Sequence, residues 1–180
     1  MAVKELAAEA DRILEEVMAA RLQLLPDPKY IYTSTAPTSA LPSNLRIEVD
    51  ARKVAGDIAT MGIFCHKDAS ASRGFSFYSA ALETNGVWEI LKYQIGSAQP
   101  TQLMRGQLDK ASVTDVNHLI LECTGGDGAS VHLRFTVNGL LAGAIDDPSG
   151  LPSGDVGVSI NAFGGGTSEV AYDNFVVTKL

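Results

Sequence analysis

Cysteine is nearly missing from this sequence: 180 residues carry only Cys65 and Cys123, with no CxxC pair. That excludes a multi-bridge disulfide scaffold and the usual zinc spacings. Histidine is scarce too, and His66, His118 and His132 form neither HExxH nor His-x-His. No apolar run approaches the roughly 18 to 20 residues that a membrane-spanning helix needs. Basic residues are outnumbered, 14 Lys and Arg against 21 Asp and Glu. The net charge of -7 lacks the positive field that nucleic-acid binding requires. The first residues lack the uninterrupted apolar core of a signal peptide, because Glu5, Glu9, Asp11, Glu15 and Glu16 break it. No Gly-x-Ser-x-Gly nucleophile elbow occurs. "FGGGTS" (163–168) lacks the Gly-Lys-Ser/Thr end of a phosphate loop.

What is present suits one globular domain with a core and a small appendage: 46% hydrophobic residues against 19% charged. Val3, Leu6, Ala10, Ile13, Val17, Ala20 and Leu24 alternate spacings of three and four, which predicts an amphipathic helix over residues 3–25. Pro26 and Pro28 stop it. Its stripe packs on its own domain or serves as a linker; homo-oligomer formation through residues 3–25 is the competing reading. Residues 1–28 are therefore read as N-terminal helix and linker, and residues 29–180 as the main domain.

After Pro28 the period becomes two. "YIYTS" (30–34) is a candidate strand. Leu45, Ile47 and Val49 alternate with charged neighbours, and Met61, Ile63 and Cys65 continue the pattern. So do Phe75 and Phe77, then "GVWEILKYQI" after Asn85-Gly86. Leu119, Leu121 and Cys123 alternate, as do Val131, Leu133, Phe135 and Val137, then Val156, Val158 and Ile160, and the chain closes with "SEVAYDNFVVTKL". About ten strands with turn signals between them predict an all-β, two-sheet antiparallel sandwich. Asn138-Gly139 predicts a two-residue hairpin, because both residues tolerate positive φ. In "YDNF", Tyr172 and Phe175 are an odd step apart, which predicts a bulge.

The stretch from about Asp50 to Leu180 resembles the concanavalin A-like lectin/glucanase superfamily. It is closest there to the laminin-G-like and 3-keto-disaccharide-hydrolase-like jelly rolls of many bacterial extracytoplasmic proteins. Five segments carry the resemblance in order: "MGIFCHKD", "GFSFYSAALETNGVWEILKY", "NHLILECTGGDGASVHLRFTVNGLLAGAIDD", "GDVGVSINAF" and "VAYDNFVV". The resemblance implies a jelly-roll sandwich, and the fold hosts binding modules and glycosidases alike. It also implies a bridge between Cys65 and Cys123. Their alternation faces allow the thiols to meet on neighbouring strands, and two buried reduced thiols are the competing state.

The glucanases of the superfamily carry Glu-x-Asp-x-(x)-Glu on one strand, so that an acid and a nucleophile share a face. This sequence has no such run; Glu83 and Glu89 are too far apart along the chain, and Asp109, Asp115, Glu122 and Asp127 are scattered. The expected role is non-catalytic: recognition of carbohydrate or a protein partner, with glycoside or 3-keto-glycoside hydrolysis as the alternative. Trp88, Tyr78 and Tyr93 are the candidate sugar platform, against the reading that Trp88 fills the core. The loops at 66–73, 96–102 and 163–168 are the candidate recognition edges. No catalytic residue, metal or cofactor is expected. Asp146 and Asp147 are the weak calcium candidates, and "DDPSG" reads more simply as strand end and turn. His118 and His132 fall on polar strand positions and are expected at the surface. The expected location is extracytoplasmic if the chain is an excised domain. If it is full length, the lack of a visible signal peptide makes it cytoplasmic.

Overall fold

A computed structural model describes residues 20–24, 31–35, 41–56, 59–68, 75–161 and 168–180. Among the described residues twelve strands follow one another: β1 (Ala20–Leu24), β2 (Ile31–Thr35), β3 (Leu45–Ala55), β4 (Thr60–Lys67), β5 (Phe77–Glu83), β6 (Val87–Tyr93), β7 (Thr101–Gln107), β8 (Asn117–Gly125), β9 (Val131–Val137), β10 (Leu140–Asp147), β11 (Asp155–Asn161) and β12 (Ser168–Lys179). A 3-10 turn, Lys110–Ser112, lies between β7 and β8. The strands form two six-stranded sheets. Sheet A has the order β1-β12-β3-β8-β9-β10, and sheet B the order β2-β11-β4-β5-β6-β7. All pairings are antiparallel. The chain changes sheet between β1 and β2, β2 and β3, β3 and β4, β7 and β8, β10 and β11, and β11 and β12, while β4–β7 and β8–β10 each run on within one layer.

The alternating residues fill the space between the layers. Leu45, Ile47, Val49, Leu119, Leu121, Leu133, Phe135 and Val137 from sheet A meet Met61, Ile63, Leu82, Ile90, Val156, Val158 and Ile160 from sheet B, all essentially without solvent exposure. Each such side chain contributes about 1.5–3 kcal/mol of transfer free energy. The register is fixed because a one-residue slip would turn this whole set outward.

The predicted hairpin is present: Asn138 (φ 50°) and Gly139 (φ 80°) make the turn between β9 and β10. The bulge in β12 is present too, as a register shift between Asp173 and Val176 with Asn174 at φ 54°. The helix prediction is corrected at its C-terminal end. Ala20–Leu24 is a strand paired with β12, Leu22 opposite Val170. Ala20 and Leu24 fit the helical stripe and, with Leu22, period two as well, and pairing with the backbone of β12 decides between them. Residues 3–19, with the oligomer reading attached to them, lie outside the described residues. β7 escaped the sequence reading, and its first residues were assigned to the loop 96–102. It is a polar edge strand whose register shifts opposite Ile90 and Leu91.

Trp88 closes one side of the sandwich, where β7 of sheet B meets β10 of sheet A. Its indole lies over two glycines. A Cβ at Gly106 would stand 2.6 Å from Trp88 Cε2, and one at Gly143 would stand 2.5 Å from Cη2. The lone tryptophan therefore belongs to the core, at 5% exposure. Gly106→Ala is expected to destabilise by about 1–3 kcal/mol through overpacking, with a shifted tryptophan emission maximum. An unchanged midpoint in urea would show that the indole is not wedged there.

Candidate binding surface

The sequence-predicted residues end up in three different environments. Tyr78 and Trp88 point inward on β5 and β6, while Tyr93 points out of sheet B, where it stacks on Phe77 at 4.4 Å. One flat platform from the three is therefore not formed, because strand alternation separates Tyr93 from the other two.

Asp146 and Asp147 also part. Asp146 is exposed and meets His132 Nδ1 at 2.8 Å. Asp147 is buried and pairs with Lys92 Nζ at 2.6 Å. The two carboxylates face opposite sides of β10 and cannot converge on one cation. Among the described residues no group of His, Cys, Asp and Glu is arranged to hold a metal ion. Asp147 is not simply the polar end of a strand. Tyr78 donates its hydroxyl proton to Oδ2 at 2.6 Å, and the Ser149 N–H and Oγ donate to Oδ1 at 3.1 and 2.9 Å. Lys92 spends its other two protons on Ser149 O and Oγ. Burial works to raise the Asp147 pKa, but the bonds from Lys92, Tyr78 and Ser149 outweigh it and bring it down to about 2. Every donor and acceptor of the pair is satisfied, which marks a structural cluster with no vacant position for a ligand.

Cys65 and Cys123 are joined, with Cα atoms 6.8 Å apart. They do not sit on neighbouring strands: Cys65 is on β4 of sheet B and Cys123 on β8 of sheet A, so the bridge ties the two layers. The next residue, His66, is buried at φ 55° rather than on a recognition loop. Its ring nitrogens face the carbonyls of Leu151 and Ser43 at 3.3 and 3.2 Å. Burial lowers its pKa against the pull of those carbonyls. Residues 69–73 and 163–167 of the predicted loops lie outside the described residues.

The outer faces of the two sheets differ. That of sheet B is closed over much of its area: Phe64 and Ser79 are fully buried, and Phe77, Ala81 and Leu91 are at 2%. Its open end carries Glu83, Glu89 and Arg105. Glu83 and Glu89 lie on different strands, as their spacing implied, and the β5–β6 hairpin places them on one face within electrostatic reach. Partial burial raises the Glu89 pKa; Arg105 opposes this and Glu83 adds to it.

The outer face of sheet A is an ordered polar lattice. Cross-strand register makes rows of Arg46–Glu122–Arg134, Glu48–Ile120–Thr136 and Asp50–His118 over β3, β8 and β9. Arg46 donates to Glu48 through Nε at 2.8 Å and to Glu122 through Nη1 at 3.3 Å. Arg134 donates to the other Glu122 oxygen at 3.2 Å. His118 lies between Asp50 (2.8 Å) and Glu48 (3.3 Å), and Asn174, from the β12 bulge, donates to Asp50 at 2.7 Å. The hydrogen bond from Arg46 lowers the Glu48 pKa against partial burial. Burial pushes Asp50 up, but Asn174 and His118 bring it below its ordinary value. The side chains stay partly open to solvent, Arg134 and His118 at 42%. The result is a cross-linked array of forked donors and carboxylate acceptors, strands about 4.8 Å apart. Alternation placed His118 and His132 on this face correctly but did not reveal which strands adjoin.

No family profile and no curated protein matches the chain. Solved structures do match in fold. A carbohydrate-binding module, CBM66 from Bacillus subtilis, superposes with a TM-score of 0.57 at 18% identity, covering 78% of each chain. The β-glucanase of Bacillus licheniformis superposes at 0.52 and 12% identity, over 89% of this chain and 78% of that one. A lichenase from a mouse hindgut metagenome gives 0.55 at 12% identity, over 89% and 79%. The two six-stranded antiparallel layers and these superpositions show that the chain has the concanavalin A-like jelly-roll fold.

Proposed function

We propose that the chain is a non-catalytic carbohydrate-binding module whose ligand surface is the outer face of sheet A. The lattice of Arg46, Glu48, Asp50, His118, Glu122 and Arg134 carries the reading. Sugar hydroxyls both donate and accept, and this face offers both kinds of partner, fixed by their own ion pairs before a ligand arrives. The fold of CBM66, a carbohydrate-binding module, supports it. The inter-sheet bridge supports an extracytoplasmic location, because disulfides persist in oxidising compartments.

In a glycan-array screen followed by titration, Arg134→Ala is expected to weaken binding roughly tenfold, about 1.4 kcal/mol. Its thermal midpoint should hardly move, since exposed ion pairs contribute about 0–1 kcal/mol. Hydrolysis is the second reading, favoured by the shared face of Glu83 and Glu89. Turnover of the bound glycan, abolished by Glu89→Gln and untouched by Arg134→Ala, would replace binding with that activity.

A further inference from the structure

His118 stands in the sheet A lattice with a carboxylate at each ring nitrogen. Nδ1 meets Asp50 Oδ1 at 2.8 Å and Nε2 meets Glu48 Oε2 at 3.3 Å. An ionised carboxylate only accepts, and a neutral imidazole carries one N–H. Both contacts are hydrogen bonds only when both nitrogens are protonated. The charge of the ring therefore decides how many acceptors this face offers.

The two contacts are not equivalent. The Nδ1 contact is the shorter, and Asn174 holds the other oxygen of Asp50 at 2.7 Å. A neutral ring therefore keeps its proton on Nδ1. Nε2 then turns a lone pair toward Glu48 Oε2, and two acceptors stand 3.3 Å apart. Oε2 also accepts from Arg46 Nη2 at 3.2 Å, which leaves it capacity for a second donor. Solvent reaches both groups, the His118 side chain at 42% exposure and that of Glu48 at 25%. A donor from outside relieves the repulsion between the two lone pairs.

The charges around the ring are few. β3 presents Glu48 with Arg46 bound to it, Asp50, and Arg52 one outward step further on. The β12 bulge presents Asn174 and Asp173, the latter opposite Asp50. From the β9 side come Thr136, opposite Ile120, and Asn138, both uncharged. The Asn138 side chain is already engaged with His118 N, Ser112 O and Asn117 Oδ1.

We infer that neutral His118 and Glu48 together receive two adjacent hydroxyls of a neutral sugar, one donating to Nε2 and the other to Oε2, and that protonation of Nε2 closes this position. The inference rests on the carbohydrate-binding reading and adds a contact and a sign to it. The glycan binds the deprotonated ring, and one proton leaves to solvent. Histidine changes charge between about pH 5 and 8, so this face binds at the upper end of that range and is shut at the lower.

The test runs the glycan array at about pH 8 and then titrates its tightest neutral glycan by calorimetry down to about pH 5. Wild type, His118→Gln and Arg134→Ala are compared as intact, oxidised chains, and the ring nitrogens of wild-type His118 are read by NMR in the same samples. Wild-type affinity should fall in acid by about tenfold per pH unit, the slope of one linked proton. His118→Gln should flatten that fall, and saturating glycan should hold the wild-type ring neutral with Nε2 unprotonated. Binding that depends on Arg134 but keeps the same pH profile in His118→Gln overturns the inference and leaves the sheet-face reading standing. Affinity that rises in acid, or a ring that is doubly protonated in the saturated complex, makes His118 a donor and overturns it as well. An array without any glycan sensitive to Arg134→Ala overturns the sheet-face reading and this inference together.

Discussion

Reducing the Cys65–Cys123 bridge is expected to cost about 4 kcal/mol of stability. The bridged residues are 58 positions apart, and the chain-entropy relation for a loop of that length gives this magnitude. At about 2–4 °C per kcal/mol for a domain of this size, the thermal midpoint should fall by roughly 10 °C in reductant. Cys65→Ser with Cys123→Ser should reproduce the fall without reductant. The effect has a second source in the architecture: the bridge crosses between β4 and β8, so it fastens the two layers where no backbone hydrogen bond can. A midpoint unmoved by reductant, with oxidation verified by mass, would show that packing alone holds the layers together.

Lys92→Met alone should destabilise by about 3–5 kcal/mol, because it leaves Asp147 buried without its counter-charge. The double variant Lys92→Met with Asp147→Leu should be less damaging than the sum of the singles, since two charges then leave the interior together. The same cluster sets an acid limit. Asp147 titrates at about 2 in the fold against an ordinary value of 3.8. A depressed carboxylate contributes its stability above the unfolded value and loses it as pH falls from about 4 through about 2. The contribution is about 2 kcal/mol by linkage. Asp147→Asn should flatten the stability curve across that window, as read by urea unfolding at pH 2 to 6. A variant curve parallel to wild type would place the acid sensitivity elsewhere.

Much of this was legible in the residues, and the gaps have physical causes. Period-two runs such as "LRIEV" and "HLRFTV" fixed β3 and β9, and the odd step from Tyr172 to Phe175 revealed the bulge. Alternation also contained the buried pair. Lys92 shares the inward register of Trp88 and Ile90, and Asp147 that of Ile145, so an inward cation required an inward anion. The residues were read as hairpin strand and turn because their partners come from different sheets, 55 positions apart. The same long-range layering hid that the Cys65–Cys123 bridge, implied by the resemblance, crosses between the sheets instead of joining neighbouring strands, and that Arg46, Glu122 and Arg134 share a row. Ala20–Leu24 satisfied two periods at once, which only its pairing with β12 could separate.

The surface assignment is tested most directly by an amide chemical-shift titration of the intact, oxidised chain with the tightest glycan from the array. Saturable shifts are expected at outward residues of β3, β8 and β9, led by Arg46, His118, Glu122 and Arg134. Shifts confined to Glu83, Glu89 and Arg105, or a lattice that stays unperturbed at saturation, would contradict it.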